Sequence, residues 1–251
     1  MDKIGVAIGL GDTVDTHVLQ LMTQDTKTGD VIWKPKDINA LRRKYGRSLR
    51  LYSHAMFKVV LGKYYPTFSV FAEHYVYLCQ MKFYGYIVHI PPNIDMDYCI
   101  EFVKKLFKFT VRSANLQHKV RVFFEHIPSE VYGKASKMAE FGRKLKSANL
   151  PLPVGLCIDT CHMYASGISP TNSSDVARYI REIETAGLPY IIHLNDSIGD
   201  EGSFIDRHAE LGTKIWLNDR SGLQYIKQLD CDKIIELADP LPSLTLMSQL
   251  N

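Results

Sequence analysis

The stretch Val154-Gly155-Leu156-Cys157-Ile158-Asp159-Thr160-Cys161-His162 joins an apolar run to two side chains of the kind that bind metal ions. A short continuous apolar run is typical of a strand that is buried on both faces of a parallel sheet. Because the run ends at Asp159, we expect this carboxylate at the carboxyl end of a strand. The same arrangement recurs along the rest of the chain.

Apolar or β-branched runs predict seven strands, which are, in chain order, Ile4–Ile8, Leu49–Ser53, Tyr86–Val88, Val120–Phe124, Val154–Ile158, Tyr190–Ile192 and Lys233–Ile235. Helices are predicted between several of them. In Tyr98–Val111 and Ser136–Ser147, apolar residues recur at intervals of three and four, which indicates helices with one apolar face. Strands that alternate with helices favour a parallel sheet.

Ligand-type side chains stand at the ends of six predicted strands: His54, His89, Glu125, Asp159, His193 and Glu236. The first five are separated by 35, 36, 34 and 34 residues, a length that suits one strand, one helix and two loops. In a (β/α)₈ barrel such ends converge on one face, whereas an open sheet spreads them along a line. We therefore predict an α/β fold, a single-domain (β/α)₈ TIM barrel over residues 1–251, with a short strand near Arg207–Leu211.

Composition sets the class of protein. A chain of 251 residues with 46% hydrophobic content suits one folded domain. No apolar run approaches the roughly 18 residues of a membrane span, and the N-terminus does not resemble a signal peptide. Five scattered cysteines predict reduced thiols. We expect an intracellular monomer, which leaves cytoplasm, nucleus and a viral particle open as locations.

Three more ligand-type residues, His162, Asp206 and His208, belong with the six at the strand ends. The set of five His, two Asp and two Glu suits Zn²⁺ or Mn²⁺ better than Mg²⁺ or Ca²⁺. One tetrahedral zinc uses about four ligands, so nine candidates predict two or three ions. Such a site is suited to phosphate-ester hydrolysis. The remaining histidines near or between strands are interpreted as structural or surface residues: His17, His74, His118 and His126.

Three segments resemble the signature motifs of the endonuclease IV family, the family-2 apurinic/apyrimidinic (AP) endonucleases. They are Gly155–His162 with Ala165-Ser166-Gly167, His193-Leu194-Asn195-Asp196-Ser197, and Asp206-Arg207-His208-Ala209-Glu210-Leu211-Gly212. Their order along the chain is that of the family. The resemblance implies a (β/α)₈ barrel with a trinuclear zinc site, in which Mn²⁺ can replace part of the zinc. No chemistry is assigned to the thiols of Cys157 and Cys161.

The resemblance implies a role for each ligand candidate. Glu125 bridges two zincs, and His54 and His89 complete the first. Asp159, His193 and Glu236 hold the second, and His162, Asp206 and His208 hold the third. Glu125, Asp159 and Glu236 are the implied catalytic residues. The implied partner is double-stranded DNA with abasic sites, cut 5′ to the lesion to leave a 3′-hydroxyl and a 5′-deoxyribose phosphate in base-excision repair, with 3′-end processing and 3′→5′ exonuclease activity as additions.

The sequence departs from the family at several positions. His89 is followed by Ile90-Pro91-Pro92 rather than Pro-Gly, and His126 follows Glu125 where Asn or Thr is usual. Phe57 stands where the family inserts a tyrosine at the lesion, and an aromatic ring can still fill the gap left by a flipped nucleotide. Three Zn²⁺ would raise the formal net charge from +3 to +9, which favours binding to phosphates.

Two other classes of function remain open from sequence. One is a sugar isomerase or epimerase on a xylose isomerase-like barrel, which needs one or two divalent ions and a pair of proton-shuttling carboxylates. The segments Asp159-Thr160-Cys161-His162 and Asp206-Arg207-His208 supply more ligands than this chemistry needs. The other is a non-catalytic barrel that binds abasic DNA without cutting it. Metal content and a cleavage assay separate the three.

Overall fold

Eight parallel strands close into a barrel in the computed structural model, which describes residues 3–9, 16–25, 30–55, 68–92, 94–113 and 117–250. Around the ring they are β1 (Ile4–Ile8), β2 (Val18–Leu21), β3 (Arg50–His54), β4 (Gly85–Ile90), β5 (Arg121–His126), β6 (Val154–Asp159), β7 (Tyr190–His193) and β10 (Lys233–Ile235). Two short strands, β8 (Asp196–Ser197) and β9 (His208–Ala209), form a separate antiparallel pair. The predicted TIM barrel is confirmed.

Helices surround the strands: α1 (Pro35–Tyr45), α2 (Phe68–Gln80), α3 (Met96–Ser113), α4 (Ala135–Ser147), α5 (Thr160–Ala165), α6 (Ser173–Glu184), α7 (Ser221–Gln228) and α8 (Leu241–Gln249). The predicted helices Tyr98–Val111 and Ser136–Ser147 lie within α3 and α4, because their apolar residues share one buried face. Among the residues that the structure describes, no helix combines the length and apolar character that a membrane crossing needs.

The predicted barrel strand near Arg207–Leu211 is wrong. Only His208–Ala209 is extended there, and it pairs with Asp196–Ser197 outside the barrel. The eighth place belongs to β2, Val18–Leu21, which is fully buried and pairs in parallel with β1 and β3. This strand escaped prediction because it is only four residues long and because Gln20 interrupts its apolar run.

The barrel interior is filled by bulky side chains that leave the ligand side chains at one end. A cluster inside the strands contains Val18, Tyr52, Ile87, Phe123, Cys157, Ile191 and Ile234. Two glycines make room for the rings. A Cβ at Gly155 would lie 2.6 Å from the Phe123 ring, and one at Gly85 would lie 2.6 Å from the Tyr52 ring. The aromatic filling fixes the strands in register, so their carboxyl ends form a rigid rim.

Candidate metal centre

The nine ligand candidates lie together at the carboxyl ends of the barrel strands. His54, Asp159 and His193 are the last residues of their strands, and His89 and Glu125 are the last but one. Glu236 directly follows β10, and the remaining three come from α5 and from the segment that contains β9. The structure therefore places ligand-type side chains that are distant in sequence on one rim.

Glu125 occupies the centre of the group, and both of its carboxylate oxygens contact imidazoles. Oε2 lies 3.0 Å from Nε2 of His54 and 3.2 Å from Nε2 of His89. Oε1 lies 2.9 Å from Nδ1 of His193. Because the side chain is fully buried, neither oxygen is satisfied by bulk water. A carboxylate that serves two sets of ligands in this way is suited to bridging two cations.

A second cluster joins Glu125 to three more residues. The ligand atoms of Glu125, Asp159, His193 and Glu236 all lie within 4.8 Å of one another. His193 Nδ1 is 3.0 Å from Glu236 Oε2 and 4.0 Å from Asp159 Oδ2. Three carboxylates around one imidazole repel one another unless a positive charge stands between them. This cluster therefore has the donor set and charge of a divalent-cation site.

The third group lies beside the second. Asp159, His162 and His208 have ligand atoms within 4.8 Å of one another, and Asp206 approaches both histidines. Asp206 Oδ1 is 3.1 Å from Nε2 of His162 and 3.4 Å from Nε2 of His208. Cys161 forms a further group with Asp206 and His208, while its thiol points to the Arg207 carbonyl at 3.6 Å.

Two buried nitrogen atoms test whether these residues fit a metal ion. Nε2 of His162 and Nε2 of His208 form no well-aligned hydrogen bond within the described part of the chain, although Oδ1 of Asp206 lies 3.1 and 3.4 Å from them. His162 Nδ1 lies 2.7 Å from the His126 carbonyl oxygen, which can only accept, so this nitrogen carries a proton. With a cation bound, Nε2 would be unprotonated and would present its lone pair beside the Asp206 carboxylate. A buried lone pair beside a carboxylate fits a bound cation.

The charges of the surrounding carboxylates also determine the pKa values of the histidines. Burial by itself lowers the pKa of His162, but the carboxylates of Asp159 and Asp206 outweigh it and raise this pKa to about 10. The same opposition raises the pKa of His208 to about 9. Burial alone would raise the pKa of Glu236, but the charge of His193 brings it to about 2. Protons thus balance the carboxylates where metal ions would otherwise do so.

Residues 69–236 match the model of a family described as the xylose isomerase-like TIM barrel. The chain belongs to this family. Curated relatives of this barrel are named as nucleases. A probable endonuclease 4 of Methanosphaerula palustris is 34% identical over 97 residues, which are 38% of this chain and 34% of the relative. The matched segment thus spans about a third of that relative's length.

Longer matches extend the comparison over most of this xylose isomerase-like barrel. A probable AP endonuclease of African swine fever virus, isolate Pig/Kenya/KEN-50/1950, is 25% identical over 209 residues, which are 73% of this chain and 68% of the relative. The crystal structure of endonuclease IV from Thermus thermophilus has a TM-score of 0.73 at 21% identity and covers 98% of this chain and 97% of that chain. The predicted resemblance to endonuclease IV is confirmed.

Asn195 contacts two of the ligand candidates in this family member. The sequence predicted no role for it beyond its place in the second motif. Its Nδ2 donates to Asp159 Oδ2 at 2.8 Å and lies 3.3 Å from Glu236 Oε2. Its Oδ1 accepts the backbone N–H of Glu236 at 2.9 Å. Asn195 therefore holds the carboxylates from two strands of the barrel in fixed positions.

His126 was interpreted as a structural or surface histidine, and the barrel places it in the buried interior. Its Nε2 accepts the backbone N–H of Asp159 at 3.3 Å, and its carbonyl accepts from His162. Burial lowers the pKa of His126 to about 3, so the ring is neutral. His74 is also buried, and Nε2 of its ring lies 2.6 Å from Oγ1 of Thr23.

Asp159 combines a structural role with its place in the clusters. Its Oδ1 accepts the backbone N–H of His162 at 2.8 Å and caps helix α5. Its Oδ2 faces His193, Asn195 and His208 instead. His162, whose backbone it caps, is fully buried. Phe57, the predicted wedge residue, lies outside the described residues.

Proposed function

We propose that this chain is a zinc-dependent AP endonuclease of base-excision repair. It hydrolyses the phosphodiester 5′ to an abasic site in double-stranded DNA and leaves a 3′-hydroxyl and a 5′-deoxyribose phosphate. The observation that supports it most is the convergence of nine histidine and carboxylate side chains on the barrel rim, among them His162 and His208, whose buried Nε2 atoms face the Asp206 carboxylate. The names of the curated relatives agree with it.

The proposed ligands fall into three sets. Glu125 bridges the first two ions, because each of its oxygens faces a different group of imidazoles. The first ion is held with His54 and His89, the second with Asp159, His193 and Glu236, and the third by His162, Asp206 and His208. Asp206 lies between the two histidines of its set, at hydrogen-bonding distance from one and slightly farther from the other. Three ions per chain is the expected stoichiometry.

Bound Zn²⁺ supplies positive charge that stabilises anionic oxygens of the phosphodiester and lowers the pKa of water. The chain supplies the acids and bases. Of the proposed catalytic residues, Glu125 and Asp159 are fully buried, whereas 14% of the Glu236 side chain is exposed. Glu236 is thus the one of these three carboxylates that reaches water at the rim. Glu125 and Asp159 orient ligands beneath it.

DNA binding is proposed for the same rim. Phosphates are attracted to the cluster once the cations are bound, and Phe57 fills the space left by the displaced nucleotide. Trimming of damaged 3′ ends and 3′→5′ exonuclease activity would use the same phosphodiester chemistry at a strand end. The chain is expected to act as a monomer, since the nine ligand candidates come from one chain.

A cleavage assay with metal analysis tests the proposal. The substrate is an end-labelled duplex with one tetrahydrofuran abasic analogue, which resists β-elimination, so that a product reports hydrolysis. We expect a single nick 5′ to the analogue, a 3′-hydroxyl that a polymerase extends, about three zincs per chain, and loss of nicking after prolonged chelation. An equal rate on undamaged duplex would contradict the proposal. Binding without cleavage would indicate the non-catalytic barrel, and sugar isomerisation with one Mn²⁺ or Mg²⁺ the isomerase.

A further inference from the structure

Gln20 is the polar residue of strand β2, and its side-chain amide lies between two of the proposed zinc ligands. Only 1% of its surface is exposed. Its Oε1 lies 2.9 Å from Nε2 of His193, and its Nε2 contacts Oε1 of Glu236. A buried amide in this position can satisfy both neighbours at once. The orientation of its oxygen and nitrogen therefore determines where protons can lie.

Glu236 fixes the orientation of the amide. A carboxylate that binds a cation is ionised and only accepts hydrogen bonds, so Oε1 of Glu236 is the acceptor in its contact with Nε2 of Gln20. The amide NH₂ group of Gln20 must therefore face Glu236, which turns the amide oxygen to His193. Since that oxygen can only accept, Nε2 of His193 must carry a proton and donate it.

The other nitrogen of His193 faces the carboxylates. Nδ1 lies 2.9 Å from Glu125 Oε1 and 3.0 Å from Glu236 Oε2. With Nε2 committed to Gln20, Nδ1 is the atom of this ring that can bind a cation. The other tautomer would turn a protonated Nδ1 into the cluster and would leave the Gln20 oxygen without a donor.

We propose that Gln20 is a positioning residue that holds His193 in the Nε2–H tautomer, so that the lone pair of Nδ1 points at the metal cluster. The inference rests on the proposed function in that it takes His193 as a zinc ligand. Residues that donate to or accept from the outer nitrogen of a ligating histidine fix its tautomer and its ring orientation, and their loss commonly weakens metal binding about 10–100-fold.

The tautomer can be measured directly in the unaltered protein. We expect long-range ¹H–¹⁵N spectra of the zinc-loaded, ¹⁵N-labelled chain to show a proton on Nε2 of His193 and zinc on Nδ1. The resonance is assigned by its absence from the spectrum of a His193→Gln variant. A proton on Nδ1, or zinc on Nε2, overturns the proposal. This measurement does not depend on whether a Gln20 variant folds.

A substitution of Gln20 provides a second test of its positioning role. Gln20→Met removes both hydrogen bonds at similar volume, and the matched control Gln228→Met changes an exposed glutamine of α7. We expect Gln20→Met to bind zinc about 10–100-fold more weakly in a competition titration with a chromophoric chelator, and the control to bind as the unaltered chain does. Zinc affinity and His193 spectrum both unchanged in a folded Gln20→Met chain overturn the proposal.

The two hypotheses fail separately. If the unaltered chain has the expected His193 tautomer and loses zinc affinity with Gln20→Met but never nicks abasic DNA, the positioning role stands and the proposed function falls. If the unaltered chain nicks abasic DNA while Gln20→Met keeps both tautomer and zinc affinity, the positioning role falls alone. A merely structural Gln20 would lower the thermal midpoint of the zinc-free chain and leave the zinc affinity of the folded fraction unchanged.

Discussion

Individual atoms at the barrel rim decide what this site can bind. The two oxygens of Glu125 contact imidazoles from different strands. One oxygen of Asp159 caps helix α5, and the other faces the cluster. His162 presents Nε2 because its Nδ1 is committed to a backbone carbonyl. Each of these ligand candidates is thus oriented by a second contact, which is how metal ligands are commonly fixed.

At the residue scale, Glu236→Gln should reduce nicking of abasic duplex at least ~100-fold. The change keeps the size of the side chain but removes the negative charge that His193 faces and one proposed ligand of the second ion. The measurement is single-turnover cleavage at saturating zinc. Glu210→Gln, an exposed carboxylate of the same region, is the matched control and should cleave normally. Full activity in Glu236→Gln would remove this residue from the mechanism.

At the scale of secondary-structure elements, short segments position the third set of proposed ligands, His162, Asp206 and His208. The carboxylate of Asp196 accepts backbone N–H groups from Gly212, Thr213 and Ile215 at 2.8 to 3.1 Å, as well as that of Ser197. This replaces the pairing that a barrel strand near residues 207–211 would have needed. The segment therefore folds as a loop tied to β8, and it carries Asp206 and His208 to the rim.

Asp196→Ala should destabilise the chain by about 3 kcal/mol or more, because the buried N–H groups of Ser197 and Ile215 and the partly buried ones of Gly212 and Thr213 lose one acceptor together. Urea unfolding of the zinc-free chain measures the change. Asp200→Ala removes a neighbouring exposed carboxylate that pairs with Lys214, and it should leave unfolding unchanged. Equal unfolding curves for Asp196→Ala and the unaltered chain would show that the loop does not depend on this anchor.

The packing of the barrel interior depends on contacts between neighbouring strands. A Cβ at Gly155 in β6 would lie 2.6 Å from the ring of Phe123 in β5 and 2.8 Å from the backbone oxygen of Pro189. Because a backbone atom cannot move aside as a side chain can, Gly155→Ala should cost about 1–3 kcal/mol of unfolding free energy. Adding Phe123→Leu relieves the ring contact only, so the double variant should stay less stable than Phe123→Leu alone.

The whole molecule gathers charge at one end of the barrel. Glu125, Asp159 and Glu236 come within a few ångströms of each other and are balanced by histidines, two of whose pKa values, those of His162 and His208, rise to about 10 and about 9. Closure of the barrel brings these groups together, and the protons on the histidines stand where bound cations could replace them. Cations and polyanions are therefore expected to bind in succession at this rim.

Zinc should accordingly stabilise the folded chain as a whole. At a free concentration 100 times its dissociation constant, a ligand of one site that binds only the folded state adds about 2.7 kcal/mol to the unfolding free energy. Differential scanning calorimetry with and without zinc checks the expected rise in thermal midpoint. The variant His208→Ala, which lacks a proposed ligand, should gain less. A midpoint that is independent of zinc would contradict the proposed cluster.

Much of the fold and of the ligand set could be predicted from sequence. Apolar runs that end in a ligand-type residue are a local pattern, and the steps of 34 to 36 residues between them indicate a barrel repeat. Three motifs added the resemblance to endonuclease IV. The failure near Arg207–Leu211 arose because chain length alone cannot distinguish a barrel strand from a loop that one carboxylate holds in place.

By itself the sequence determined which side chains stand at strand ends and therefore the kind of chemistry that this rim supports. Only the tertiary structure decided which atom of each side chain faces the cluster. Gln20 meets His193 across 173 residues and Glu236 across 216 residues, and these contacts exist only because β1 and β10 close the ring. Local patterns carry the type of residue, whereas hydrogen-bond partners distant in sequence set tautomer and orientation, and these arise only on folding.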